Sequence, residues 1–178
     1  MLSIINKYYT PGTQLYEILI RHSEAVRDKA LAIAAAHPEM NIDTQFIAEA
    51  AMIHDIGIVR CDAAGICCFG THQYMEHGIL GAEMMRAEGL ERHALVCEHH
   101  TGAGLTAADI IANQWPLPHR DMLPTTIEER LICYADKFYS KTRLDSEDSI
   151  TRIRAKIARW GNDSLQRFDA LHREFSIE

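Results

Sequence analysis

Long apolar runs are absent from the sequence, and no stretch approaches the roughly 20 residues needed to cross a lipid bilayer. The N-terminal segment MLSIINKYYTPG also lacks the basic part and the long apolar part of a secretory signal peptide. We therefore expect a cytoplasmic protein that has no membrane partner.

Cysteines are few and irregularly spaced. The chain has five of them, an odd number, and none forms a C-x-x-C pair. This pattern argues against a disulfide framework and against a zinc knuckle. We expect reduced, mostly buried thiols, with a redox or metal role for the loop from Cys61 to Cys68 as the alternative.

Basic residues are outnumbered by acidic ones. The formal net charge is -7, and no cluster of Lys and Arg stands out in the first 130 residues. Proteins that bind polymeric nucleic acid normally have a basic face, because phosphate neutralisation supplies most of their affinity. We therefore expect no polymeric nucleic-acid partner. A small phosphate ester can still bind an acidic chain if a metal ion supplies positive charge locally.

Alternating strand patterns of useful length and internal repeats are absent as well, and apolar residues instead recur at helical spacing. The 178 residues suffice for one domain with its own core. We predict an all-α, single-domain helical bundle with a core at about residues 13–143 and C-terminal helices at about 147–175 packed on it. The predicted helices cover about residues 13–36, 44–56, 75–88, 91–100, 106–113, 126–141, 147–160 and 163–175.

Capping residues mark several of these helix ends. The predicted N-caps, whose side chains accept hydrogen bonds from free backbone N–H groups, are Asp43, Thr106, Thr126 and Asn162. The glycines predicted to end helices are Gly57, Gly89 and Gly161. We expect Gly57 to adopt a left-handed conformation, and the first helix to break or bend near Arg21. The Gly- and Cys-bearing loop at 58–74 is long enough to indicate a function.

Four residues could share a metal ion. His54 and Asp55 are consecutive at the end of the second predicted helix, where a lone His-Asp pair is more often a surface or capping contact. His22 lies among apolar residues of the first helix, and Asp136 lies in the apolar segment 131–137, where an unpaired carboxylate would be costly. A single metal ion accounts for all four. Two imidazoles and two carboxylates suit Mn, Fe, Co, Ni or Zn.

The ordered set His22, His54-Asp55 and Asp136 resembles the H…HD…D pattern of the HD-domain superfamily, and His54-Asp-Ile-Gly57 matches its HDIG variant. The similarity runs from about His22 to Lys141. It implies a metal-dependent phosphohydrolase that acts on a small phosphate ester or anhydride, with a nucleotide as the expected substrate. Metal-activated water or hydroxide would attack the phosphorus.

Two further segments extend the resemblance. His77-Gly-Ile-Leu-Gly-Ala82 resembles the H-x-x-x-G-A element of members with an expanded metal site, and His99-His100-Thr-Gly-Ala-Gly104 resembles the histidine element that follows it. The resemblance implies that His77 and either His99 or His100 bind a second metal or a phosphate, with Asp55 as the bridge. His100 fits better, because the turn follows it directly. The implied cofactor is one or two divalent ions, among Mn, Fe, Co, Ni, Mg and Zn.

One departure from the family pattern narrows the range of possible substrates. The G-Y-P motif of the cyclic-di-GMP phosphodiesterase branch is missing, because Thr101-Gly-Ala-Gly-Leu105 stands where it would begin. This argues against cyclic-di-GMP as the substrate.

Cationic residues near the ligands are candidate contacts for a phosphoryl group, which attracts positive charge during transfer. Lys137 directly follows Asp136, and we predict that Lys137 and Asp55 are the catalytic residues. The other predicted substrate contacts are Arg21, His72 and Lys141, with Arg143 as a further candidate. Each of these charges could instead be an ordinary surface charge. The basic group at 152–159 is predicted to be the solvated face of a late amphipathic helix.

Two other functions fit the same residues. Some HD proteins hold two irons with this ligand set and cleave a C–C or C–P bond with oxygen. Ligand identity does not separate that reaction from hydrolysis, whereas metal analysis does. A non-enzymatic nucleotide-binding regulator is the third hypothesis, but such a protein is expected to have lost a ligand and this chain has lost none.

Overall fold

The computed structural model describes residues 1–177, and its all-α fold confirms the predicted fold class. The α-helices in this part of the chain are α1 (Leu2–Tyr8), α2 (Gln14–Ala36), α3 (Thr44–Ala51), α4 (His77–Ala87), α5 (Glu91–His99), α6 (Ala107–Ala112), α7 (Ile127–Asp136), α8 (Ile150–Ile157) and α9 (Asn162–Phe175). Short 3-10 helices connect them at Pro38–Met40, Ile56–Arg60, Ala64–Ile66, Tyr74–Glu76 and Ala158–Trp160.

Two small hairpins interrupt the helices. Strand β1 (Asp62–Ala63) pairs antiparallel with β2 (Cys68–Phe69) inside the loop at 58–74. Strand β3 (Tyr139–Ser140) pairs antiparallel with β4 (Arg143–Glu147). No helix among residues 1–177 combines the length and the apolar character that a membrane span requires.

Most of the predicted caps are confirmed. The side chains of Asp43, Thr106 and Thr126 each accept a hydrogen bond from a backbone N–H in the first turn of the helix that follows. The prediction for Asn162 is wrong, because Asn162 is already the first residue of α9. Gly161 precedes it with φ 111°, a conformation that glycine adopts without a steric penalty.

Two large apolar clusters and a smaller third one around Leu105 and Ile110 form the core. The first joins α2, α3 and α7 to the C-terminal helices through fully buried side chains such as Leu131 and Phe168. The second joins α1 and α2 to α4 and α5 through residues such as Leu19 and Met85. Each fully buried side chain of this size contributes about 1.5–3 kcal/mol to folding. Helix α2 contributes to both clusters and runs without interruption through Arg21, so a break there, one of the two predicted alternatives, is wrong.

The N-terminal helix α1 was not predicted. Ile5 and Tyr9 are both buried and lie four residues apart, which is the helical spacing that could have revealed this helix. The Tyr9 hydroxyl donates to the carbonyl oxygen of Ile56 at 2.7 Å and accepts from the backbone nitrogen of Val59 at 3.1 Å. The N-terminal segment therefore fastens the turn that follows Asp55.

The predicted helix at 126–141 is too long. Helix α7 ends at Asp136, and the chain then turns into the β3–β4 hairpin. Tertiary contacts override helical spacing here: Phe138 is buried against the first cluster, and its carbonyl oxygen accepts from the backbone nitrogen of Asp148 at 2.7 Å. The hairpin turn carries Lys141, so the hairpin decides where this side chain lies.

We predicted that Gly57 would end a helix in a left-handed conformation, and this prediction is wrong. Gly57 lies within the 3-10 helix Ile56–Arg60, and its φ is not positive. The requirement for glycine is steric instead. A Cβ atom at this position would lie 2.1 Å from the carbonyl oxygen of His77 and 2.4 Å from the backbone nitrogen of Gly81. Gly57 therefore allows α4 to pack directly on the turn that carries Asp55.

Candidate metal centre

Four side chains from distant parts of the chain meet in the interior. His22 comes from the middle of α2, His54 and Asp55 from the turn after α3, and Asp136 from the last position of α7. All four are buried, and one nitrogen or oxygen atom of each lies within 4.8 Å of the others. The structure therefore brings together the four residues that the sequence pattern singled out.

The spacing of these atoms matches the ligands of one metal ion. The Nε2 atom of His22 lies 3.0 Å from Asp55 Oδ2 and 3.0 Å from Asp136 Oδ1. The Nε2 atom of His54 lies 2.9 Å and 3.5 Å from the same two oxygens. Two ligands about 2.1 Å from a common ion are separated by about 3.0 Å at a right angle and by about 3.4 Å at a tetrahedral angle.

A second group shares Asp55 with the first. The other carboxylate oxygen of Asp55, Oδ1, lies 3.5 Å from His77 Nε2 and 3.4 Å from His100 Nε2. These two nitrogens are 3.1 Å apart. Helices α4 and α5 approach closely because Gly78 has no side chain: a Cβ there would lie 2.7 Å from the carbonyl oxygen of Cys97. Asp55 thus directs one oxygen toward each group.

Backbone contacts fix the tautomer of three histidines. The Nδ1 atoms of His54, His77 and His100 lie 2.7, 2.6 and 2.8 Å from the carbonyl oxygens of Ala51, Tyr74 and Cys97, respectively. A carbonyl oxygen only accepts, so each Nδ1 carries a proton, and each ring in its neutral form presents the Nε2 lone pair to the cluster. This arrangement is typical of histidines that bind metal ions, in which the outer hydrogen bond orients the ring.

Several buried polar atoms of the cluster have no hydrogen bond within residues 1–177. They are His22 Nδ1, His54 Nε2 and Asp55 Oδ1, whereas Asp55 Oδ2 faces the ammonium group of Lys141. A buried polar atom without a partner costs about 1–3 kcal/mol, and a cation would satisfy two of these three, namely His54 Nε2 and Asp55 Oδ1. The donor set therefore fits a divalent metal ion.

Electrostatic interactions hold Asp55 and His77 in the charge states that metal binding requires. Burial would raise the pKa of Asp55, but His54 and Lys141 outweigh it and hold the pKa well below its usual range. Burial alone would lower the pKa of His54, whereas the carboxylates of Asp55 and Asp136 raise it to about 9, so a metal ion that binds His54 must displace the proton from this ring. Burial and the neighbouring His100 lower the pKa of His77 to about 3, so His77 is neutral at pH 7.

Two lysines border the cluster. The Nζ atom of Lys141 lies 2.5 Å from Asp55 Oδ2, and burial of this ammonium is outweighed by Asp55, which raises the pKa of Lys141 well above its usual range. The Nζ atom of Lys137 lies 2.6 Å from Asp136 Oδ2 and donates to the carbonyl oxygen of His100 at 3.0 Å. Both predicted lysine contacts are thus next to the ligands.

The remaining predicted residues lie elsewhere. His99 points away from the cluster, and its Nδ1 atom lies 2.7 Å from Glu129 Oε2. Of the two candidate histidines, the structure therefore brings His100 and not His99 to the cluster. Arg21 pairs with Asp145 at the surface. The ring of His72 is 43% exposed and lies 3.2 Å from Glu76. Arg143 pairs with Asp148. The structure does not bring these four side chains to the cluster.

An open cleft of about 630 Å³ leads to the cluster. Asp136, Lys137, Lys141 and Tyr74 line its inner end, and the outer wall comes from the segment between Lys156 and Trp160. Sequence reasoning missed Tyr74. Its ring stacks on His77 with centroids 4.7 Å apart, and its carbonyl oxygen orients that histidine. The signal was its position three residues before His77, at the start of a helix.

The family model described as HD domain matches residues 19–140, which include every member of both groups. The chain belongs to the HD domain family. Family membership and the buried His/Asp cluster together indicate a site for a divalent metal. No solved structure matches the chain.

Archaeal proteins are among the relatives of this HD domain chain. An uncharacterized protein of Methanocaldococcus jannaschii is 31% identical over 90% of this chain and 89% of its own length. Two proteins named tRNA (cytidine(56)-2'-O)-methyltransferase, from Picrophilus torridus and Thermoplasma volcanium, are each 30% identical. The alignments cover 90% and 98% of this chain but only 42% and 45% of those relatives. The chain therefore spans less than half the length of either methyltransferase.

Proposed function

We propose that the protein is a metal-dependent phosphohydrolase that removes a phosphoryl group from a small ester or anhydride, with a nucleotide as the expected substrate. The observation that carries this proposal is the pair of ligand groups joined by Asp55 at the inner end of a cleft with two lysines. His22, His54, Asp55 and Asp136 would hold one ion. Asp55, His77 and His100 would hold a second.

The charge at this site favours an anionic substrate. Two carboxylates, Asp55 and Asp136, are balanced by the ammonium groups of Lys137 and Lys141. Any divalent ion therefore adds uncompensated positive charge at the bottom of the cleft, in a region of low dielectric where such charge attracts anions strongly. This accounts for phosphate binding by a chain whose net charge is -7.

Each side chain has a defined part in this reaction. A bound divalent ion lowers the pKa of a coordinated water and polarises the phosphoryl oxygens. The two oxygens of Asp55 face the two ligand groups, so this residue couples them. Lys137 and Lys141 are 10% and 12% exposed and line the cleft, where their charge would complement the phosphoryl oxygens of a bound substrate. The hydrogen bonds of His54, His77 and His100 to backbone carbonyls orient the rings.

Methyl transfer to tRNA is not part of the proposal. The two relatives that carry this name are more than twice as long as the matched region, and the name describes the whole protein. The deficit of basic residues also argues against binding of a polymeric nucleic acid.

A phosphatase screen tests the proposal. Purified protein is assayed for phosphate release from nucleotides, sugar phosphates and dinucleoside polyphosphates with Mn, Mg, Co or Ni. We expect at least one substrate to be hydrolysed by the wild type and by Asp62→Ala, a matched variant that removes an exposed carboxylate on β1. Asp55→Ala should be inactive. Hydrolysis by Asp55→Ala at the wild-type rate would place the reaction elsewhere.

The di-iron alternative gives a different result in the same preparation. A protein that carries two irons, consumes oxygen and releases no phosphate would contradict the phosphohydrolase proposal. The two lysines beside the ligands favour hydrolysis, because they complement the distributed negative charge of a transferring phosphoryl group.

A further inference from the structure

The outer wall of the cleft lies outside the region that matches the HD family model. This wall consists of the end of α8 and the 3-10 helix Ala158–Trp160, whereas the family match ends at residue 140. The sequence pattern predicted only a solvated face for the basic residues here. The structure instead places Lys156 and Arg159 on the cleft that Asp136 also lines.

The charge of the cleft is opposite to that of the protein. Four cations line it, and Asp136 is the one carboxylate among its lining residues. The cations are Lys137, Lys141, Lys156 and Arg159. The inner pair contacts the carboxylates of the metal centre. The outer pair lines the same cleft but contacts neither Asp55 nor Asp136, so the cleft has cations apart from those of the metal centre.

The outer cations are poorly neutralised. Arg159 makes no ion pair with any acidic side chain in the described residues 1–177. Lys156 contacts Asp148, but this single carboxylate also lies against Arg143 and Arg152. Three cations thus share one negative charge, and the wall as a whole remains positive.

Trp160 holds this wall at a fixed distance from the metal centre. Its ring packs on Gly102, where a Cβ atom would lie 2.3 Å from the ring. Gly102 is two residues after His100, and it adopts φ 62° in the turn that follows. Trp160 also meets Trp115 edge to face, with ring centroids 5.3 Å apart. Both tryptophans of the chain therefore lie at the outer wall, and their fluorescence responds to changes there.

We propose that Arg159 and Lys156 bind a second anionic group of the substrate, carried by the part that leaves after phosphoryl transfer. The substrate class is then a phosphate ester with two separated anionic groups, the second a phosphate or a carboxylate. This inference rests on the proposed phosphohydrolase function for the inner end of the cleft. The outer end selects among phosphate esters and takes no part in the bond cleavage.

Binding of non-hydrolysable phosphonates tests the proposal without any turnover. Tryptophan fluorescence of the wild type with Mg²⁺ or Zn²⁺ is titrated with propylphosphonate, with 3-phosphonopropionate, and with bisphosphonates linked by three, four or six methylenes. We expect at least one two-anion compound to bind about tenfold more tightly than propylphosphonate, the contribution of one charge-assisted contact. Comparison of the carboxylate compound with the bisphosphonates distinguishes the two sources of the second charge.

Arg159→Ala should remove this advantage and leave the Kd of propylphosphonate unchanged. Arg173→Ala, which removes an exposed arginine on α9, is the matched control and should retain the advantage. Equal affinities for one-anion and two-anion compounds, or an unaltered advantage in Arg159→Ala, would overturn the inference. The phosphatase screen is independent of this result: failure of every ester there, with the bisphosphonate preference intact, would refute the proposed reaction and leave the two-ended cleft standing.

Discussion

Replacement of Gly57 by alanine tests how the metal centre is assembled. The added Cβ would lie 2.1 Å from the His77 carbonyl oxygen, which is 1.3 Å inside the 3.4 Å at which ordinary van der Waals contact begins. Both close contacts are with backbone atoms of α4, which cannot move aside as a flexible side chain does. The 3-10 helix and α4 must therefore separate, and His77 must move away from Asp55.

The expected cost is at the upper end of the range for overpacked cores, about 3 kcal/mol, which lowers Tm by about 6–12 °C in a domain of this size. Differential scanning calorimetry measures this shift, and metal analysis should show that binding weakens as well. Gly65→Ala is the matched control, because no atom lies within 4 Å of its Cβ position and its φ is not positive. A Tm of Gly57→Ala that equals the wild-type Tm, or lies no more than about 2 °C below it, would refute the packing argument.

Two further predictions concern adjacent histidines and an acidic cap. His100→Ala should lower kcat/KM for phosphate release by more than about 100-fold, which is the upper cost of losing an outer partner of a metal ligand. His99→Ala should have a kcat/KM close to that of the wild type. A larger loss of kcat/KM in His99→Ala than in His100→Ala would exchange the two roles. Burial raises the pKa of Asp109, but hydrogen bonds from Thr106 and the contact with Arg167 outweigh it and lower the pKa below 3.8. The carboxylate therefore stabilises the fold above that pH and loses this effect as the pH falls. Asp109→Asn should reduce the free energy of unfolding by about 1 kcal/mol at pH 7 and by less at pH 3. Urea unfolding that gives an equal difference at both pH values would contradict this prediction.

Helical spacing and polar caps were sufficient to predict most of the helices. The caps at Asp43, Thr106 and Thr126 are local, because each side chain reaches only three residues along the chain. The β3–β4 hairpin was not predictable in this way. Its strands are too short to show a repeat of two, and burial of Phe138 against the distant core decides where α7 ends.

The candidate site was predictable as a set of residue types but not as a geometry. An ordered pattern indicated that His22, Asp55 and Asp136 meet. It could not distinguish His99 from His100, because the side chains of consecutive helical residues point about 100° apart and only packing decides which faces inward. The sequence pattern also could not predict the cationic outer wall. The helical period assigned Arg159 to a solvated face, and only the tertiary fold places that face on the cleft.

The most direct test of the central claim is metal stoichiometry. Protein freed of metal with a chelator is incubated with Mn²⁺ or Zn²⁺, dialysed, and analysed by inductively coupled plasma mass spectrometry, with Asp62→Ala as control. The two groups joined by Asp55 predict two ions per chain for the wild type and the control, and loss of both ions in Asp55→Ala. Wild-type protein that retains no divalent ion, or Asp55→Ala that retains both, would contradict the metal centre itself.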